Sequence, residues 1–418
     1  MLRHIFRTLR YRNYRLFFAG QSISLIGTWI QQLAMSWLVY RLTGSAYMLG
    51  LVGFLTRIPT FFLAPFAGVM ADRWPRYRLL VVTQALSMLQ AAVLALLVLT
   101  GIVQVWHVAV LGFCLGLINS FDVPIRQSFV VEMIEKREDL GNAIALNSTM
   151  VNGARLVGPA LAGVLIAVVG EGWCFAINAA SFVAVLASLL AMRVPAIMTT
   201  GHRASHLEAL QQGFRYVFGF LPVRSILLLL ALVSMMGMPF QVLMPVFAKN
   251  ILGGGPHTLG FLMTAVGLGA LAGAVHLASR RNPKGLEREL ALASVVFGIG
   301  LGAFALSHNL WLSWISLSLA GLGMLVQLTG SNTLLQSLVD DEMRGRVMSF
   351  YAMAFMGTVP LGNILAGVLA ESVGAPNTVL FGGICCVLGG AAFAWKLPKI
   401  ARQAHPGESE QGLPGDLD

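Results

Sequence analysis

The stretch Gly68-Val-Met-Ala-Asp72-Arg73-Trp-Pro75-Arg76-Tyr-Arg78-Leu79 separates two long apolar runs, at about residues 46–71 and 78–100. Each run is long enough to cross the roughly 30 Å hydrocarbon core of a bilayer as a helix. Because the connection is short, the two helices must be antiparallel neighbours. Its basic side chains are expected on the cytoplasmic side, which sets the direction of both helices.

The same alternation of apolar runs and basic loops continues along the whole chain. Twelve runs of spanning length can be drawn, at about residues 14–40, 46–71, 78–100, 105–131, 141–169, 173–192, 222–248, 257–279, 289–307, 310–336, 346–370 and 377–396. Lys and Arg fall mainly in the N-terminus, in every second loop and in the C-terminus, and only Arg41 and Lys249 lie in the other loops. The pattern predicts an all-α membrane protein with twelve transmembrane helices and both termini in the cytoplasm.

The amino-acid composition is also that of a membrane protein. Charged residues are 11% of the total, well below the roughly 25% of a soluble domain. The net charge of +10 is explained by topology and anionic lipid headgroups, so we expect no nucleic-acid partner. The apolar stretch at about 16–42 is too long for a signal peptide and predicts a retained first span in the inner (plasma) membrane. The four cysteines lie in or at apolar runs without metal-ligand spacing, so no metal or cofactor is expected.

The second half of the chain repeats the first. Leu161-Ala-Gly-Val-Leu165 recurs as Leu365-Ala-Gly-Val-Leu369, and Gln127-Ser-Phe-Val130 is echoed by Gln336-Ser-Leu-Val339, at offsets of 204 and 209 residues. The matches predict two six-helix repeats. Parallel repeats of this kind form one known transporter plan, in which the cargo site lies between the halves near mid-membrane.

The repeats suggest a division of the chain into four parts. We predict a six-helix bundle at 1–192, a central cytoplasmic loop at 193–221, a second bundle at 222–396 and a disordered cytoplasmic tail at 397–418. The loop contains an amphipathic stretch from Leu207 to Phe220 that is expected to lie along the inner membrane surface.

One carboxylate lies well inside an apolar run. Asp122 and Arg126 are four residues apart in the fourth run and share a helix face with Asn119. An ionisable residue within a membrane is costly unless it is paired or wetted, and it is a functional-site candidate by default. Two interpretations stay open: Asp122 carries the proton that drives transport, or it forms a permanent structural ion pair with Arg126. Glu132, at the inner end of the same run, is a second candidate, and the alternative interpretation is that it faces the cytoplasm.

Two further arginines lie inside apolar runs. Arg155 is near the middle of the fifth run, with Asn152 and Pro159 on its face, and Arg57 is in the second run. Displacement of a nearby arginine during a conformational change could switch the proton affinity of Asp122.

The opening stretch resembles the signature loop of the major facilitator superfamily, in which a glycine and four residues precede Asp-Arg and spaced basic residues. Here the pattern is carried by Gly68, Asp72, Arg73 and Arg76, and Pro75 replaces the usual second glycine. The resemblance extends over the twelve runs, the repeat and the long central loop. It implies the major facilitator fold, and it implies that these four residues act as a cytoplasmic gate between the halves.

Two more stretches resemble particular members of the superfamily. Gly158-Pro159 and Gly163 are similar to a motif of exporting antiporters, although Ala154 and Ala162 stand where glycines are usual. A proline in mid-helix favours a kink. Residues 122–127 and 344–349 resemble the branch that contains the enterobactin exporter and transmembrane secretion effectors. This resemblance implies proton-coupled export of a siderophore or an amphipathic drug-like molecule.

Polar residues at helical spacing suggest which faces line the cargo cavity. Together with Asn119 and Asn152, the candidates are Gln21, Thr28, Trp29, Gln32, Gln241, Gln327 and Ser331. Polar groups among aromatic and methionine side chains suit a large, partly apolar small molecule. Hydrogen bonds between helices are the alternative explanation for the same residues.

Other functions are weaker alternatives. A facilitator or importer of the same superfamily is the nearest one, although no sugar-porter signature follows the sixth run. A membrane-embedded enzyme is the alternative of another class, but the chain has no His-Glu-x-x-His motif. An ATP-driven pump is disfavoured because the chain lacks a Gly-x-x-x-x-Gly-Lys-Ser/Thr phosphate loop. A separate ATPase subunit stays an open alternative. We expect a monomer that is not an enzyme and that handles a small molecule and protons in the lipid bilayer.

Overall fold

Helices make up nearly all of the chain that the computed structural model describes, which is residues 7–73, 75–193, 206–280 and 285–404. Within these ranges, the side chains of residues 64–73, 137, 206–211, 401, 402 and 404 lie outside the description. The helices are α1 Arg12–Thr43, α2 Ala46–Arg73, α3 Arg76–Leu99, α4 Val105–Glu132, α5 Leu140–Val169, α6 Glu171–Leu190, α7 His206–Gly219, α8 Leu221–Ile251, α9 Pro256–Ala278, α10 Leu286–Ala305, α11 Leu310–Leu338, α12 Asp341–Val373 and α13 Ala375–Ala404.

Eleven helices of the described chain are long and apolar enough to cross a membrane, namely α2 to α6 and α8 to α13. The exception among the predicted spans is α1. Its 32 residues extend about 48 Å, enough to cross a bilayer. Gln31 and Gln32 lower its mean hydropathy. Each predicted apolar run coincides with one of these helices; most ends agree to within three residues, α12 begins five residues before its predicted run, and α13 continues eight residues beyond its run.

Glycines with positive φ end helices at matching places in the two halves. Gly44 follows α1 with φ of 63°, and Gly253 follows α8 with φ of 61°. Gly170 follows α5 with φ of 84°, and Gly374 follows α12 with φ of 88°. Only glycine adopts this region readily, so each residue stops its helix without strain. The two pairs are 209 and 204 residues apart, the same offsets as the repeated sequence strings.

The chain forms two compact units. The first contains Met1–His202, Gln241–Gly267 and Asn363–Ala375, and the second contains Arg203–Phe240, Leu268–Gly362 and Pro376–Asp418. The predicted division of the chain at residues 192 and 222 stays a prediction. The segments at 241–267 and 363–375 come from the second half of the sequence but belong to the first unit, because they contact its helices.

In the first unit, α1 packs on α5 and α6, α3 packs on α4 and α6, and α2 packs on α4. Its basic end is defined here as the end where Arg10, Arg76 and Arg193 lie, and its opposite end as the end where Gly44 and Gly170 lie. Phe17, Phe129 and other apolar side chains form a buried cluster at the basic end. Since lipid tails are as apolar as these side chains, the helices are held by close packing and by hydrogen bonds between helices.

Small residues bring helix backbones together in both units. A Cβ placed on Gly116 of α4 would lie 3.0 Å from the carbonyl carbon of Thr56 in α2. A Cβ placed on Gly323 of α11 would lie 2.6 Å from the carbonyl oxygen of Ala293 in α10. Glycine therefore permits helix crossings that alanine would obstruct.

An ion-pair cluster fixes the N-terminal segment at the basic end. Arg7 lies 2.9 Å and Arg10 lies 2.5 Å from the carboxylate of Asp139, and the Tyr11 hydroxyl donates to it at 2.7 Å. The hydrogen bond from Tyr11 and the charges of Arg10 and Arg7 lower the pKa of Asp139. The carboxylate therefore stays ionised at neutral pH and ties the N-terminal segment to the connection between α4 and α5.

The predicted amphipathic stretch forms α7, and the predicted tail begins as helix. Phe214 of α7 packs on Phe350 of α12, with ring centroids 6.4 Å apart, so one face of α7 is held by the second unit. Helix α13 runs through Pro398 to Ala404, past the predicted start of a disordered tail at residue 397. Residues 405–418 of that tail lie outside the described chain.

Candidate transport site and gates

Asp122 lies inside the first unit and is held by side chains of two helices. Its Oδ1 accepts hydrogen bonds from Thr83 Oγ1 at 2.8 Å and Gln84 Nε2 at 2.7 Å, both in α3. Its Oδ2 lies 3.4 Å from Arg126 Nε, an ion pair whose geometry is not that of a hydrogen bond. The residue is only 5% exposed. These contacts fix the position of the buried carboxylate between α3 and α4.

Gln84 has an unused acceptor beside this carboxylate. Its Oε1 is buried and has no hydrogen-bond partner within the described chain. A protonated Asp122 can therefore donate a hydrogen bond to this amide oxygen after rotation of the Gln84 side chain.

Arg155 of α5 contacts an aromatic side chain of α1. The Arg155 guanidinium lies over the Trp29 ring, 5.8 Å from its centroid, which is a cation–π contact. Arg57 is exposed and Trp29 is half-buried. The predicted approach of Arg155 to Asp122 stays a prediction.

The polar stripe predicted on the first span divides between two environments. Gln21 is buried, and the Thr28 hydroxyl donates to the Ser24 carbonyl of its own helix at 2.9 Å. Gln32 is exposed three residues after Trp29, on the same helix face. Trp29 and Thr28 are half-buried, and a role of these four residues in lining the cargo cavity stays a prediction.

A buried polar network beside this stripe was not predicted as a unit. Gln31 of α1 donates to Gln90 of α3 at 2.9 Å and accepts from Asn178 of α6 at 2.8 Å. Such a network holds three helices together in lipid. The signal for it was the spacing of Gln84, Ser87 and Gln90, which recur every three residues on one face of α3.

The remaining cavity candidates have different surroundings. Gln327 and Ser331 are fully buried, and Gln327 accepts from Ser294 of α10 at 2.9 Å. Hydrogen bonding between helices, the alternative explanation, therefore describes Gln327, and Ser331 accepts from Gln327 within α11 at 3.4 Å. Asn119 is half-buried, as are Asn152 and Gln241. Asn152 donates to the Ser148 carbonyl of its own helix at 2.9 Å.

Of the four predicted gate residues, Arg76 is the one whose side chain the structure describes. Arg76, the first residue of α3, lies 2.7 Å from Glu132, the last residue of α4. The pair closes the basic end of these two neighbouring helices, which gives Glu132 a structural partner. The side chains of Gly68, Asp72 and Arg73 lie outside the described part of the chain.

The Gly-Pro motif places glycines at contacts with other helices. Gly158 packs against the Trp29 side chain. A Cβ on Gly163 would lie 2.9 Å from the Cα of Gly260 in α9, and a Cβ on Gly260 would lie 2.6 Å from the Pro159 carbonyl oxygen. Pro159 lies inside α5, which continues to Val169.

A second glycine crossing mirrors the first. A Cβ on Gly50 of α2 would lie 2.8 Å from the Cα of Gly367 in α12. Gly50 and Gly260 are 210 residues apart, and Gly163 and Gly367 are 204 apart, so each crossing is the repeat of the other. Both join a helix from the first half of the sequence to a helix from the second half.

Polar contacts reinforce these crossings at the opposite end of the first unit. Glu371 accepts from the Ser45 hydroxyl and from the Tyr47 backbone N–H, both at 3.2 Å, at the N-terminus of α2. A negative charge is favourable there because of the helix dipole. Asn250 donates to the Tyr40 hydroxyl at 2.7 Å, and Arg41 pairs with Glu171 at 2.7 Å. Sequence reasoning did not single out Glu371 or Asn250, because their partners are distant in sequence.

Across the described residues, no group of His, Cys, Asp or Glu could hold a metal ion. The four cysteines are free thiols, and Cys174 and Cys386 are buried.

A family model described as "Transmembrane secretion effector" matches residues 4–414. The chain belongs to this family of major facilitator superfamily transporters. The family is one of membrane transporters, not enzymes, and small molecules are the substrates of its members. The resemblance seen in the sequence is confirmed.

Two characterised relatives match over most of their length. The staphyloferrin A transporter of Staphylococcus aureus is 28% identical over 374 residues, which cover 89% of this chain and 93% of the relative. Macrolide efflux protein A of Streptococcus pyogenes is 24% identical over 393 residues, covering 90% and 96%. A bacterial homologue of the human lysosomal transporter Spinster, in an inward-facing and occupied conformation, superposes with a TM-score of 0.75 at 13% identity, covering 94% of this chain and 98% of that one. The last comparison shows a shared fold.

Proposed function

We propose that this protein is a proton-driven exporter of a siderophore or an amphipathic drug-like molecule, located in the inner membrane. The relatives named for staphyloferrin A transport and macrolide efflux support this cargo class. We include α1 as a twelfth crossing, because it is long enough and packs on α5 and α6. The positive-inside rule then makes the basic end cytoplasmic and the opposite end external.

The observation that carries the mechanism is the pair of repeated glycine crossings. They join helices of the two sequence halves at the external end, where Glu371 and Asn250 add polar contacts. Contacts of this kind close one end in one conformation and must separate in the other. Their loss and recovery would give the cargo access to each side of the membrane in turn.

Asp122 is the proposed proton carrier. The ionised form is stabilised by Thr83, Gln84 and Arg126, while the unused Gln84 Oε1 can accept a hydrogen bond from the protonated form. Both protonation states of Asp122 therefore have hydrogen-bond partners without a change in the position of the carboxyl group. A conformational change that moves Arg126 away would favour proton uptake, because a nearby positive charge favours the ionised carboxylate.

Inverted membrane vesicles test the proposal directly. A compound chosen by a growth screen of siderophores and drugs should accumulate inside vesicles when their interior is made acidic. An uncoupler that collapses the proton gradient should stop the accumulation. Accumulation that continues in the uncoupler would overturn proton coupling, and uptake only in right-side-out vesicles would favour an importer.

A further inference from the structure

Four exposed arginines lie at the basic end of the first unit, where α6 meets α1 and α3. They are Arg12 and Arg15 of α1, Arg78 of α3, and Arg193, three residues after α6. At the same end, Arg7 and Arg10 pair with Asp139, and Arg76 pairs with Glu132. Within the described chain, none of the four exposed arginines is part of an ion pair. Their positive charge is therefore not neutralised by a contacting carboxylate.

Hydrogen bonds fix the start of α1 to the end of α6. Arg12 Nη2 donates to the Ala191 carbonyl at 3.0 Å, two residues before Arg193. The Asn13 side chain donates to the Arg193 carbonyl at 3.0 Å and accepts from the Arg193 N–H at 3.3 Å. Arg15 lies three residues after Arg12, on the same face of α1. The guanidinium groups of α1 are therefore held beside that of Arg193.

A third segment joins them from α3. Helix α6 packs against both α1 and α3. The Tyr77 hydroxyl, near the start of α3, donates to the Leu189 carbonyl of α6 at 3.2 Å. Arg78 is the next residue of α3. Two neighbouring helices therefore place unpaired guanidinium groups beside the end of α6.

An exposed apolar stripe continues from Arg78 along α3. It consists of Val82, Leu86, Leu89, Val93 and Leu96. Spacings of three or four residues put the stripe and Arg78 on one face of the helix. From Val82 to Leu96 it extends about 21 Å, more than half of the roughly 30 Å hydrocarbon core. Leu190 of α6 is 70% exposed three residues before Arg193. The arginines therefore lie where a surface for acyl chains meets the headgroup region.

We propose that the end of α6 binds an anionic phospholipid whose headgroup has two phosphate groups. Arginine forks match phosphate oxygens, and basic sites between membrane helices on the cytoplasmic side bind such headgroups. Two phosphates fit guanidinium groups that come from two helices, and the acyl chains lie along the stripe of α3 and on Leu190. Positive charge that only sets topology does not require three segments to converge. The inference does not depend on the proposed transport function.

Lipid competition on the purified full-length protein in detergent tests this site. Native mass spectrometry counts the lipids retained after addition of equal amounts of tetraoleoyl cardiolipin, dioleoyl phosphatidylglycerol and dioleoyl phosphatidylcholine. One cardiolipin molecule should be retained at concentrations where the other two lipids are not. Inorganic pyrophosphate, which has two phosphates but no acyl chains, should not displace it.

Variants locate the binding. Arg78→Gln and Arg193→Gln should each weaken cardiolipin binding about fivefold, the usual contribution of one basic residue near an anionic headgroup. Arg15→Gln should do the same, and its side chain makes no hydrogen bond within the described chain that the fold could lose. Arg288→Gln is the matched control, because Arg288 is exposed near the start of α10 and is in no ion pair of the described chain. It should bind cardiolipin as the wild type does, and melting curves show that each variant is folded.

Several results would overturn the proposal. Equal retention of cardiolipin and phosphatidylcholine would remove the anion site, and equal retention of cardiolipin and phosphatidylglycerol would remove the preference for two phosphates. Displacement by pyrophosphate would assign the site to free phosphate anions. Wild-type binding by all three glutamine variants, or an equal loss in Arg288→Gln, would show that binding follows total charge. Driven uptake in vesicles is a separate measurement, so its failure would remove the exporter and leave the lipid site standing.

Discussion

Asp122→Asn is expected to abolish concentrative export while leaving cargo binding intact. Asparagine keeps the size of the side chain and can still accept from Thr83 and Gln84, but it cannot exchange a proton. For one proton per cargo molecule, a gradient of one pH unit supports about tenfold accumulation. The variant should therefore equilibrate cargo across inverted vesicles to a ratio of about one, where the wild type reaches about ten.

Asp122→Glu is the matched control for this experiment, because it keeps a titratable carboxyl group at the same position. It should retain part of the driven accumulation even if its packing is imperfect. Exchange of labelled cargo without a gradient reports whether the asparagine variant still cycles. Wild-type accumulation by Asp122→Asn would assign Asp122 to a structural ion pair with Arg126 and exclude it as the proton carrier.

Gly163→Ala is expected to slow transport strongly without unfolding the protein. The new Cβ would lie 2.9 Å from both the Cα of Gly260 and the Pro256 carbonyl oxygen, so the backbones must separate. Overpacking of this kind costs about 1–3 kcal/mol, which shifts a two-state equilibrium about fivefold to more than a hundredfold. The externally closed state would become rare, and the initial rate of cargo uptake in vesicles measures the loss.

Gly153→Ala provides a control on the same helix. A Cβ at Gly153 meets nothing within 4 Å, so this variant should transport at the wild-type rate. Gly260→Ala, on the other side of the crossing, should repeat the defect of Gly163→Ala. A normal rate for both Gly163→Ala and Gly260→Ala would show that this crossing does not have to close during the cycle.

The fold could be read from the sequence because bilayer thickness and loop charge are strong local signals. Each apolar run predicted a helix, and the repeated Leu-Ala-Gly-Val-Leu strings lie before Gly170 and Gly374, whose backbones have nearly the same φ. Asp122 and Arg126 were paired correctly, since residues four apart share a helix face. Helix α1 is harder to recognise by hydropathy alone, because Gln31, which joins the buried network, and the exposed Gln32 make it more polar.

The candidate site was less predictable because its contacts join distant parts of the chain. Helical periodicity placed Gln327 and Ser331 on one face of α11, but it could not say that this face packs on Ser294 of α10. It likewise could not place Glu371 at the start of α2 or Asn250 beside Tyr40. Those pairings depend on which helices are neighbours, and the sequence pattern of one helix does not identify the helices that pack against it.

Cross-linking the external end tests alternating access most directly. Ser45→Cys and Glu371→Cys place thiols at positions whose native side chains lie 3.2 Å apart. Both substitutions are made in a variant whose four native cysteines are replaced, namely Cys114, Cys174, Cys385 and Cys386. A short bifunctional thiosulfonate should stop cargo uptake by inverted vesicles, a reducing agent should restore it, and each single-cysteine variant should be unaffected by the reagent. Uptake at the uncross-linked rate in fully cross-linked protein would contradict the account.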